Sequence, residues 1–431
     1  MKVVAFLPVK GTSERVESKN LKLMDGKPLF LHTLEKLVKC NFIDEVYLDS
    51  ESDKVFDLAS EINCKHLYRD PKLATNKTDG HQLFYNEVKQ VDADIYIQIL
   101  GTSPFIKPET IEQGIKVLKE QPEYDSVVLM SEEKQYTWYK NQPCYDKYHI
   151  PNSKDLQKTI VETMGLYIVR KEVALKNKMR FGDNVYFLKA SAIEKIDVNY
   201  PDEFELANYI AAGLREKERE MFTNLSKVLS SCMLSDILDD LNIKGVISHM
   251  TLNLPEKRVL GRAKTLKLRK LKENEPYEGI YDALASYDTI IPNDIIVVEN
   301  ECKEFAYFGN LNASLAMRAG AVAAIIDGCT RDKYATQDLD FPVFSRGYNC
   351  CDVRKRATVE YINKAVTISG VKVHLGDLIF ADSDGIVVIP QKYEKLVINK
   401  ALETIDKEKN IITKIVLGKT ADNIIETVGV F

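Results

Sequence analysis

Strand and helix signals alternate along the first half of this chain. The first apolar run, Val3–Val9, ends in a polar loop that contains a glycine. The following segments are a helix at Leu29–Cys40, a strand at Asp44–Asp49, a helix at Asp53–Ile62, a strand at His66–Tyr68, a helix at Asp79–Val91, a strand at Asp94–Leu100, a helix at Thr110–Glu120 and a strand at Ser126–Met130. This alternation predicts an α/β domain with a mainly parallel sheet covered by helices. Ligands of such sheets bind beyond the carboxyl ends of the strands, so the residues after each strand are the first candidates for a site.

The second half of the chain is richer in strands. A charged helix at Phe204–Lys217 leads into REKEREMFTNLSK, which has no apolar core pattern, and we place a domain boundary there. After a helix at Val228–Leu241, the predicted strands are Val259–Lys267, Ile295–Val298, Phe305–Phe308, Val322–Asp327, Val366–Ile368, Asp377–Ala381 and Gly385–Ile389, with helices at Leu311–Ala319 and Pro390–Leu417. We therefore expect two unrelated domains, 1–221 and 222–431, which suits a length of 431 residues.

Composition excludes several classes of protein. The chain has 59 basic and 64 acidic residues, a net charge of −5 and no basic block, so we expect no nucleic-acid partner. No apolar stretch approaches the roughly 20 residues of a membrane span, so we expect no membrane partner. The opening segment is followed by charge, without a cleavage site for a signal peptide. Eight cysteines without a CxxC pair predict reduced, mostly buried thiols in a cytoplasmic enzyme.

The loop after the first strand carries groups that suit phosphate. Gly11 permits close approach of the backbone to a ligand. The backbone N–H groups and the hydroxyls of Thr12 and Ser13 suit phosphate oxygens. The loop also supplies three cations for a triphosphate: Lys10, Arg15 and Lys19. From these residues alone the alternative is a solvated turn with incidental charges, and the spacing is not that of a P-loop.

Four separated motifs resemble the cytidylyltransferases that act on sialic acid, KDO and related acids. The loop Leu7–Asn20 is similar to that family's nucleotide loop at Pro8, Gly11, Ser13, Arg15, Lys19 and Asn20. The other motifs are YRDPKLAT at 68–75, QILGTSPF at 98–105 and IDVNYPDEFELA at 196–207. The resemblance covers about residues 1–215. It implies a nucleotide-diphospho-sugar-transferase-like fold, with CTP as donor and an acidic small-molecule acceptor.

The same resemblance implies roles for individual residues. Asp197 would bind Mg²⁺ at the end of its strand, with Asn199 standing where the family has a second aspartate. Lys10, Arg15 and Lys19 would act on the triphosphate, although Lys10 replaces the family's usual arginine. The nucleotide contacts would come from Pro8, Gly11, Thr12, Ser13, Asn20, Thr75, Gln98, Thr102 and Ser103. Judged by itself, Asp197 could equally cap the helix that follows it.

The acceptor side is open to more than one interpretation. Aromatic residues between Tyr136 and His149 could wall a sugar or form a dimer contact. Arg170, Lys171 and Arg180 could meet a carboxylate or a phosphonate, or could simply be solvated charges.

The second half carries a separate constellation. Gly309–Ala316 follows a strand and opens a helix, whose first N–H groups suit an anion. Arg331 and Asp332 follow a buried strand, where an arginine can bind a carboxylate and an aspartate can hold Mg²⁺. Taken alone, such a pair is typical of a surface ion pair.

This constellation resembles the family of the 4-hydroxy-4-methyl-2-oxoglutarate aldolases and the ribonuclease-activity regulator A. The matching motifs include AAIIDGCTRD at 323–332, FPVFSRG at 341–347 and GDLIFADSDG at 376–385. The resemblance covers about residues 228–431. The resemblance implies a layered α/β/β domain that takes a 2-keto acid. Its implied ligands are Gly309, Asn310, Leu311, Asn312 and Arg331 for the keto acid, and Asp332 for Mg²⁺.

Asn310 leaves the chemistry of this second domain open. Much of the family has an acid at this position, and an amide cannot act as a base. The domain is therefore either an aldolase-like enzyme or a non-catalytic oligomerisation or regulatory module. Because both resembled families usually form oligomers, we expect a homo-oligomer.

Overall fold

The computed structural model of the chain describes residues 1–13, 16–75 and 77–428. The chain divides into two compact units, Met1–Ala212 and Gly213–Phe431. The division falls inside the helix Pro201–Leu225, which also contains the boundary predicted at residue 222. Each unit has its own sheet and its own hydrophobic core.

The first unit alternates strands and helices as the hydrophobic pattern predicts. Its strands are β1 (Val3–Pro8), β2 (Leu23–Met24), β3 (Lys27–Pro28), β4 (Glu45–Ser50), β5 (Lys65–Tyr68), β6 (Ile95–Ile99), β7 (Ser126–Glu133), β8 (Trp138–Tyr139), β9 (Gln142–Pro143), β10 (Thr159–Arg170) and β11 (Val185–Lys189). Its helices are α1 (Leu29–Val38), α2 (Asp53–Leu58), α3 (Gly80–Val88), α4 (Pro108–Glu120), α5 (Lys171–Asn177) and α6 (Pro201–Leu225), the last of which continues into the second unit.

One mainly parallel sheet organises this unit, in the order β11-β7-β10-β6-β1-β4-β5. Strands β6, β1, β4 and β5 are parallel, whereas β10 pairs antiparallel with β6 and β7. Successive side chains of β1 enter opposite cores: Ala5 and Leu7 pack with α1, and Val4 and Phe6 pack with α3. A strand covered on both faces is expected to be a continuous apolar run, as β1 is. Since β10 is reversed, it begins at the edge where β1 and β6 end.

The second unit mixes parallel and antiparallel strands. Its strands are β12 (Val246–Ile247), β13 (Thr251–Leu252), β14 (Val259–Lys270), β15 (Asp294–Asn300), β16 (Ala306–Phe308), β17 (Ala323–Thr330), β18 (Val343–Tyr348), β19 (Ala357–Ile362), β20 (Val366–Ile368), β21 (Val371–Val373), β22 (Leu378–Ala381) and β23 (Ile386–Ile389). Its own helices are α7 (Ser231–Asp240), α8 (Asn310–Ala319), α9 (Lys333–Asp338), α10 (Glu394–Val416) and α11 (Ala421–Val428).

The main sheet of this unit follows the order β12-β23-β22-β14-β15-β17-β18-β13, with β16 on β17 and β19 on β14. Strands β14, β15, β17 and β18 are parallel neighbours. Their carboxyl ends, with the start of α8, carry the residues singled out in the second half of the sequence.

The interpretation of the charged stretch at 215–227 as lacking an apolar core pattern is wrong. Helix α6 runs through it to Leu225, and Phe222 and Leu225 are buried with Leu229 and Leu234 in a core of the second unit. The pattern is hard to see because two apolar residues among charged neighbours are too few to establish a helical period.

The cysteines are all free thiols, but the expectation that most are buried is wrong. Cys40 and Cys302 are buried, whereas four are exposed: Cys144, Cys232, Cys350 and Cys351. Within the described ranges, no helix combines the length and apolarity that a membrane crossing requires.

Candidate functional site

A cleft of about 950 Å³ opens at the carboxyl edge of the first unit's sheet. Residues that follow β1 and β6 line it, together with residues of β10. This is the edge at which a ligand is expected for a parallel sheet. The predicted site residues that line the cleft are Pro8, Lys10, Thr12, Ser13, Lys19, Asn20, Thr102, Asp197 and Asn199.

The glycine of the first loop has a packing role behind the cleft wall. The N–H of Gly11 donates to Oε1 of Glu51 at 2.8 Å. A Cβ at this position would lie 2.5 Å from the Cβ of Ser52, so the turn after β4 leaves no room for a side chain. Asn20 stabilises the same segment, because its Nδ2 donates a hydrogen bond to the carbonyl of Lys10 at 3.1 Å. Lys10 and Gly11 are therefore held in place by bonds within the domain.

The two described cations of the loop differ in their surroundings. Lys19 is buried, and its Nζ donates to the carbonyl of Val198 at 2.6 Å and to Oδ1 of Asn199 at 3.3 Å. Lys10 lies at the cleft wall, where its Nζ donates to the carbonyl of Thr75 at 3.0 Å. Thr75, a predicted nucleotide contact, thus meets the loop through its backbone carbonyl and is not among the residues that line the cleft. The third predicted cation, Arg15, lies outside the described residues.

Asp197 is held at the cleft by residues distant in sequence. Its Oδ1 accepts from the hydroxyl of Ser103 at 3.2 Å, and its Oδ2 accepts from Nδ2 of Asn199 at 2.5 Å. The N–H of Val198 donates to the carbonyl of Thr102 at 2.8 Å, which aligns the segment with the end of β6. Neither described bond of the Asp197 carboxylate caps α6, so the capping alternative does not describe its position.

The groups around Asp197 fit a divalent cation that is shared with a phosphate ligand. Mg²⁺ prefers oxygen ligands and is usually held by one or two carboxylates, substrate phosphates and water. The cleft offers the Asp197 carboxylate and the amide oxygen of Asn199 beside the loop that follows β1. Among the described residues, no group of three or more His, Cys, Asp or Glu side chains is arranged to hold a metal ion. A cation here would therefore depend on ligands from a bound nucleotide.

Gln98 lies beneath the cleft and not on its wall. Its side chain is fully buried, and its Nε2 donates to Oε2 of Glu87 at 2.5 Å. Strand β6 places it beside Tyr167 of β10 and Phe6 of β1.

The sequence interpretation missed a buried arginine at the cleft wall. Arg69 follows β5 and lines the cleft, and its Nε and Nη2 both donate to the carboxylate of Asp49, the latter at 2.9 Å. The side chains of both residues are fully buried. Arg69 falls inside the motif at 68–75, and the signal that could have identified it is an acid at the end of β4 beside an arginine at the end of the neighbouring β5.

Among the residues that line the cleft, an arginine lies over the ring of a tyrosine. The guanidinium of Arg180 lies 4.8 Å from the ring centroid of Tyr167, and its Nε donates to the carbonyl of Gly80 at 2.9 Å. His81 accepts the N–H of Arg180 through Nδ1 at 3.1 Å. The hydroxyl of Tyr167 donates to Glu162, and burial together with this carboxylate raises the pKa of Tyr167. The cleft lining thus includes a cation held over an aromatic ring.

The other acceptor-side candidates lie elsewhere. Arg170 donates to carbonyls of the loop after α4, including that of Tyr124 at 2.9 Å, and Lys171 pairs with Asp92. The aromatic stretch forms the exposed hairpin β8–β9, in which Trp138 and Tyr139 are largely exposed. The residues that line the cleft do not include this hairpin.

In the second unit, the predicted keto-acid residues cluster where β16 and β17 end. Asp332 Oδ2 accepts the N–H of Asn310 at 3.1 Å, and a Cβ on Gly309 would lie 2.5 Å from the same oxygen. Arg331 pairs through Nη2 with Asp352 at 2.8 Å. The structure therefore brings Gly309, Asn310, Arg331 and Asp332 together.

The remaining two residues of this group face different environments. Leu311 is 76% exposed, whereas the side chain of Asn312 donates to the carbonyl of Tyr307 at 2.8 Å. The half-exposed carboxylate of Asp332 fits a hydrated Mg²⁺, because such an ion needs as few as one protein carboxylate.

Known proteins match the two halves of the chain separately. A family described as Cytidylyltransferase matches residues 4–197, and one described as Aldolase/RraA matches residues 231–388. A 3-deoxy-manno-octulosonate cytidylyltransferase from Chloroherpeton thalassium is 27% identical over 193 residues, which are 40% of this chain and 75% of that protein. Protein DlpA from Legionella pneumophila is 26% identical over 209 residues, which are 48% of this chain and about a third, 34%, of that protein.

Among solved structures, Streptomyces coelicolor RraAS2, an unusual member of the RNase ES inhibitor RraA protein family, is 23% identical. The match covers 44% of this chain and 94% of that one, with a TM-score of 0.40. The two family matches include the loop after β1 with Asp197 in one half, and Arg331 with Asp332 in the other. Residues 4–197 of the chain therefore match the cytidylyltransferase family, and residues 231–388 match the Aldolase/RraA family.

Proposed function

We propose that the N-terminal domain transfers a cytidylyl group from CTP to an acidic small molecule, a nonulosonic or KDO-like sugar acid. The acceptor hydroxyl gives its proton to solvent as its oxygen bonds to the α-phosphorus, and the bond from that phosphorus to the oxygen bridging to the β-phosphate breaks, so that pyrophosphate leaves. The observation that carries this proposal is that Lys10, Lys19 and Asp197 all line one cleft at the end of β1. Cations beside a triphosphate and a carboxylate suited to a metal are what nucleotidyl transfer requires.

The chain's own residues have distinct parts in this proposal. Lys10 binds phosphate oxygens, and the buried Lys19 holds Asn199 and the backbone of Val198 in position. Asp197 and Asn199 would hold Mg²⁺, which would neutralise charge on the phosphate oxygens when bound. Arg180, stacked on Tyr167, is suited to the carboxylate of the acceptor.

A pyrophosphate-release assay tests this function. Each of the four nucleoside triphosphates is offered with a panel of sialic-type acids, KDO, phosphonates and polyol phosphates, with and without Mg²⁺. We expect turnover with CTP and a sugar acid in the presence of Mg²⁺. Turnover with a phosphonate or a polyol phosphate would instead favour the alternative acceptor class. If no acceptor gives CTP-dependent release, the proposal is wrong.

For the C-terminal domain we propose a Mg²⁺-dependent aldolase-like site for a 2-keto acid. Arg331 would bind the keto-acid carboxylate once Asp352 releases it, and Asp332 would hold the metal. The alternative is a non-catalytic oligomerisation or regulatory module, which Asn310 favours. Pyruvate release coupled to lactate dehydrogenase tests the first, and calorimetric titration of the full chain with Mg²⁺ and pyruvate separates the two. A heat of binding that is present in the wild-type chain and lost in Asp332→Ala supports the keto-acid site. If neither Mg²⁺ nor pyruvate gives a heat of binding, the non-catalytic module is supported.

A further inference from the structure

The segment that carries Asp197 and Asn199 contains a second, buried carboxylate. Residues 190–200, all of which the structure describes, lie between β11 and α6 and form no strand or helix. A regular hydrogen-bond ladder therefore does not fix Asp197, and its position depends on contacts with other parts of the domain. Glu194 belongs to this segment and is 4% exposed, and a buried carboxylate is stable only if hydrogen-bond donors surround it.

The two carboxylate oxygens of Glu194 have different partners. Oε2 accepts the N–H of Ser191 at 3.0 Å, and the N–H of Glu194 donates to the hydroxyl of Ser191 at 3.4 Å. These reciprocal bonds have the pattern of a capping box, and they close the turn in which both residues lie. Oε1 accepts the N–H of Lys107 at 3.1 Å and the hydroxyl of Thr110. One carboxylate thus ties the turn before Asp197 to the start of α4.

The start of α4 suits a carboxylate that comes from elsewhere in the chain. Lys107 is the N-cap residue of this helix, and its own side chain makes no cap hydrogen bond. The helix dipole favours a negative charge at this end. Glu194 supplies that charge and two hydrogen bonds, so the helix and the turn stabilise each other.

The loop that leads into α4 is also held from its other side. Nζ of Lys36, on α1, donates to the carbonyl of Pro104 at 2.8 Å and to that of Ile106 at 2.5 Å. Helix α1 packs in the core of the domain. The loop is therefore a fixed support to which Glu194 can anchor its own segment.

The contacts of Asp197 depend on the separation between this loop and residues 190–200. The carboxylate accepts from the hydroxyl of Ser103 at 3.2 Å, and the next residue, Val198, donates its N–H to the carbonyl of Thr102 at 2.8 Å. Both bonds form only if the two segments lie at one distance from each other. Glu194 sets that distance one turn before Asp197.

We propose that Glu194 is a positioning residue of the candidate metal site: its carboxylate joins the turn before Asp197 to the start of α4, and so keeps Asp197 at the wall of the nucleotide cleft. Glu194 is not among the residues that line the cleft and acts through its segment. The proposal rests on the proposed function in one respect, because it takes Asp197 as the residue that holds Mg²⁺ for CTP.

Four variants of the full chain test this role. Glu194→Gln keeps the shape of the side chain but has one acceptor oxygen in place of two, so either the turn or α4 loses its bonds. Thr110→Val removes a hydroxyl that donates to Glu194, and Thr110→Ser keeps it. Asp44→Ala controls for a general loss of stability, because Asp44 accepts the N–H of Val3 at 2.7 Å at the amino end of β1, the opposite edge of the sheet from the cleft.

Two measurements are made on each variant. The initial rate of pyrophosphate release gives the Mg²⁺ concentration needed for half-maximal rate. Hydrogen–deuterium exchange of peptides from residues 190–200, without ligand, reports how firmly that segment is held. A loss of stability alone lowers the folded fraction, and with it the rate at every Mg²⁺ concentration, but leaves the half-maximal concentration unchanged.

We expect Glu194→Gln to raise the half-maximal Mg²⁺ concentration about tenfold or more, because residues that orient a metal ligand contribute this much to metal affinity. Exchange in residues 190–200 should become faster. Thr110→Val should change both quantities in the same direction by about threefold, whereas Thr110→Ser and Asp44→Ala should stay within about twofold of the wild-type chain.

An unchanged Mg²⁺ requirement in Glu194→Gln overturns the proposal, as does an equal change in Asp44→Ala. If the wild-type chain gives no CTP-dependent release with any acceptor, the proposed function fails, and exchange alone decides the role of Glu194. Faster exchange in Glu194→Gln and Thr110→Val, but not in Asp44→Ala, then supports the link, and equal exchange in all chains overturns it. If Glu194→Gln does not fold, the comparison of Thr110→Val with Thr110→Ser decides.

Discussion

Nδ2 of Asn199 donates to Oδ2 of Asp197 at 2.5 Å, while Oδ1 of the same amide accepts from Nζ of Lys19 at 3.3 Å. One amide thus joins the buried lysine of the nucleotide loop to the carboxylate of the candidate metal site. An aspartate at position 199 could accept from Lys19 but could not donate to Asp197. The substitution relative to the resembled family therefore exchanges a second negative charge for a bond that orients the first.

Removal of the carboxylate at 197 should abolish metal-dependent turnover. We expect Asp197→Asn to lower the rate of pyrophosphate release by about 100-fold or more, since metal stabilisation of phosphate charge is worth several kcal/mol. The measurement is the initial rate over a range of Mg²⁺ concentrations. The matched variant Asn199→Asp adds a carboxylate and should reduce the Mg²⁺ concentration needed for half-maximal rate. Full activity in Asp197→Asn would contradict the assigned role.

A methyl group at position 11 should displace the nucleotide loop. In Gly11→Ala the new Cβ would lie 2.5 Å from the Cβ of Ser52. Overpacking of this kind costs about 1–3 kcal/mol, so we expect the KM for CTP to rise roughly tenfold. The double variant Gly11→Ala with Ser52→Gly removes the opposing carbon and should recover most of the loss. No change in KM for the single variant would show that the loop can shift without consequence.

The buried pair of Asp49 and Arg69 should matter for stability. Asp49→Asn removes the nearer anion of the guanidinium, whose side chain is 0% exposed and whose other carboxylate partner is Glu51 at 3.7 Å. The substitution should lower the free energy of unfolding by about 3–5 kcal/mol. Urea unfolding of the variant and the wild-type chain measures this difference. The control is Lys116→Ala, which breaks an exposed pair with Glu120 at 3.8 Å and should cost about 0.5 kcal/mol or less. Similar losses in the two variants would argue against a special role for the buried pair.

His32 should make stability fall in mild acid. Burial, with Lys27 as the next cause, lowers the pKa of His32 from 6.5 to about 4, and its Nε2 lies 2.8 Å from the carbonyl of Met24. Between these values the unfolded chain binds the proton and the folded chain does not, so stability is present above pH 6.5 and is lost as pH falls toward 4. The full effect is about 3 kcal/mol. His32→Gln should lose less stability than the wild-type chain between pH 7 and pH 4.5 in urea titrations, and parallel losses would contradict this.

Local pattern was sufficient for most of the architecture. The continuous apolar run of β1 and the amphipathic spacing of α1 and α4 are properties of short segments, and each forms close to where it is predicted. The loop after β1 was identifiable for the same reason, since its glycine, hydroxyls and lysines are adjacent in sequence. The burial of Phe222 and Leu225 could not be identified from the sequence, because it depends on the core against which α6 packs.

The amino-acid sequence by itself determined that strands and helices would alternate. It also placed cations and hydroxyls after the first strand and Asp197 before a helix. Tertiary structure decided which of these groups meet. It brought Ser103 to Asp197 across 94 positions, joined Arg69 to Asp49, and turned Gln98 inward to Glu87. The physical reason is that hydrophobic periodicity is a local property, whereas partners for buried polar groups come from whichever strands the sheet makes neighbours.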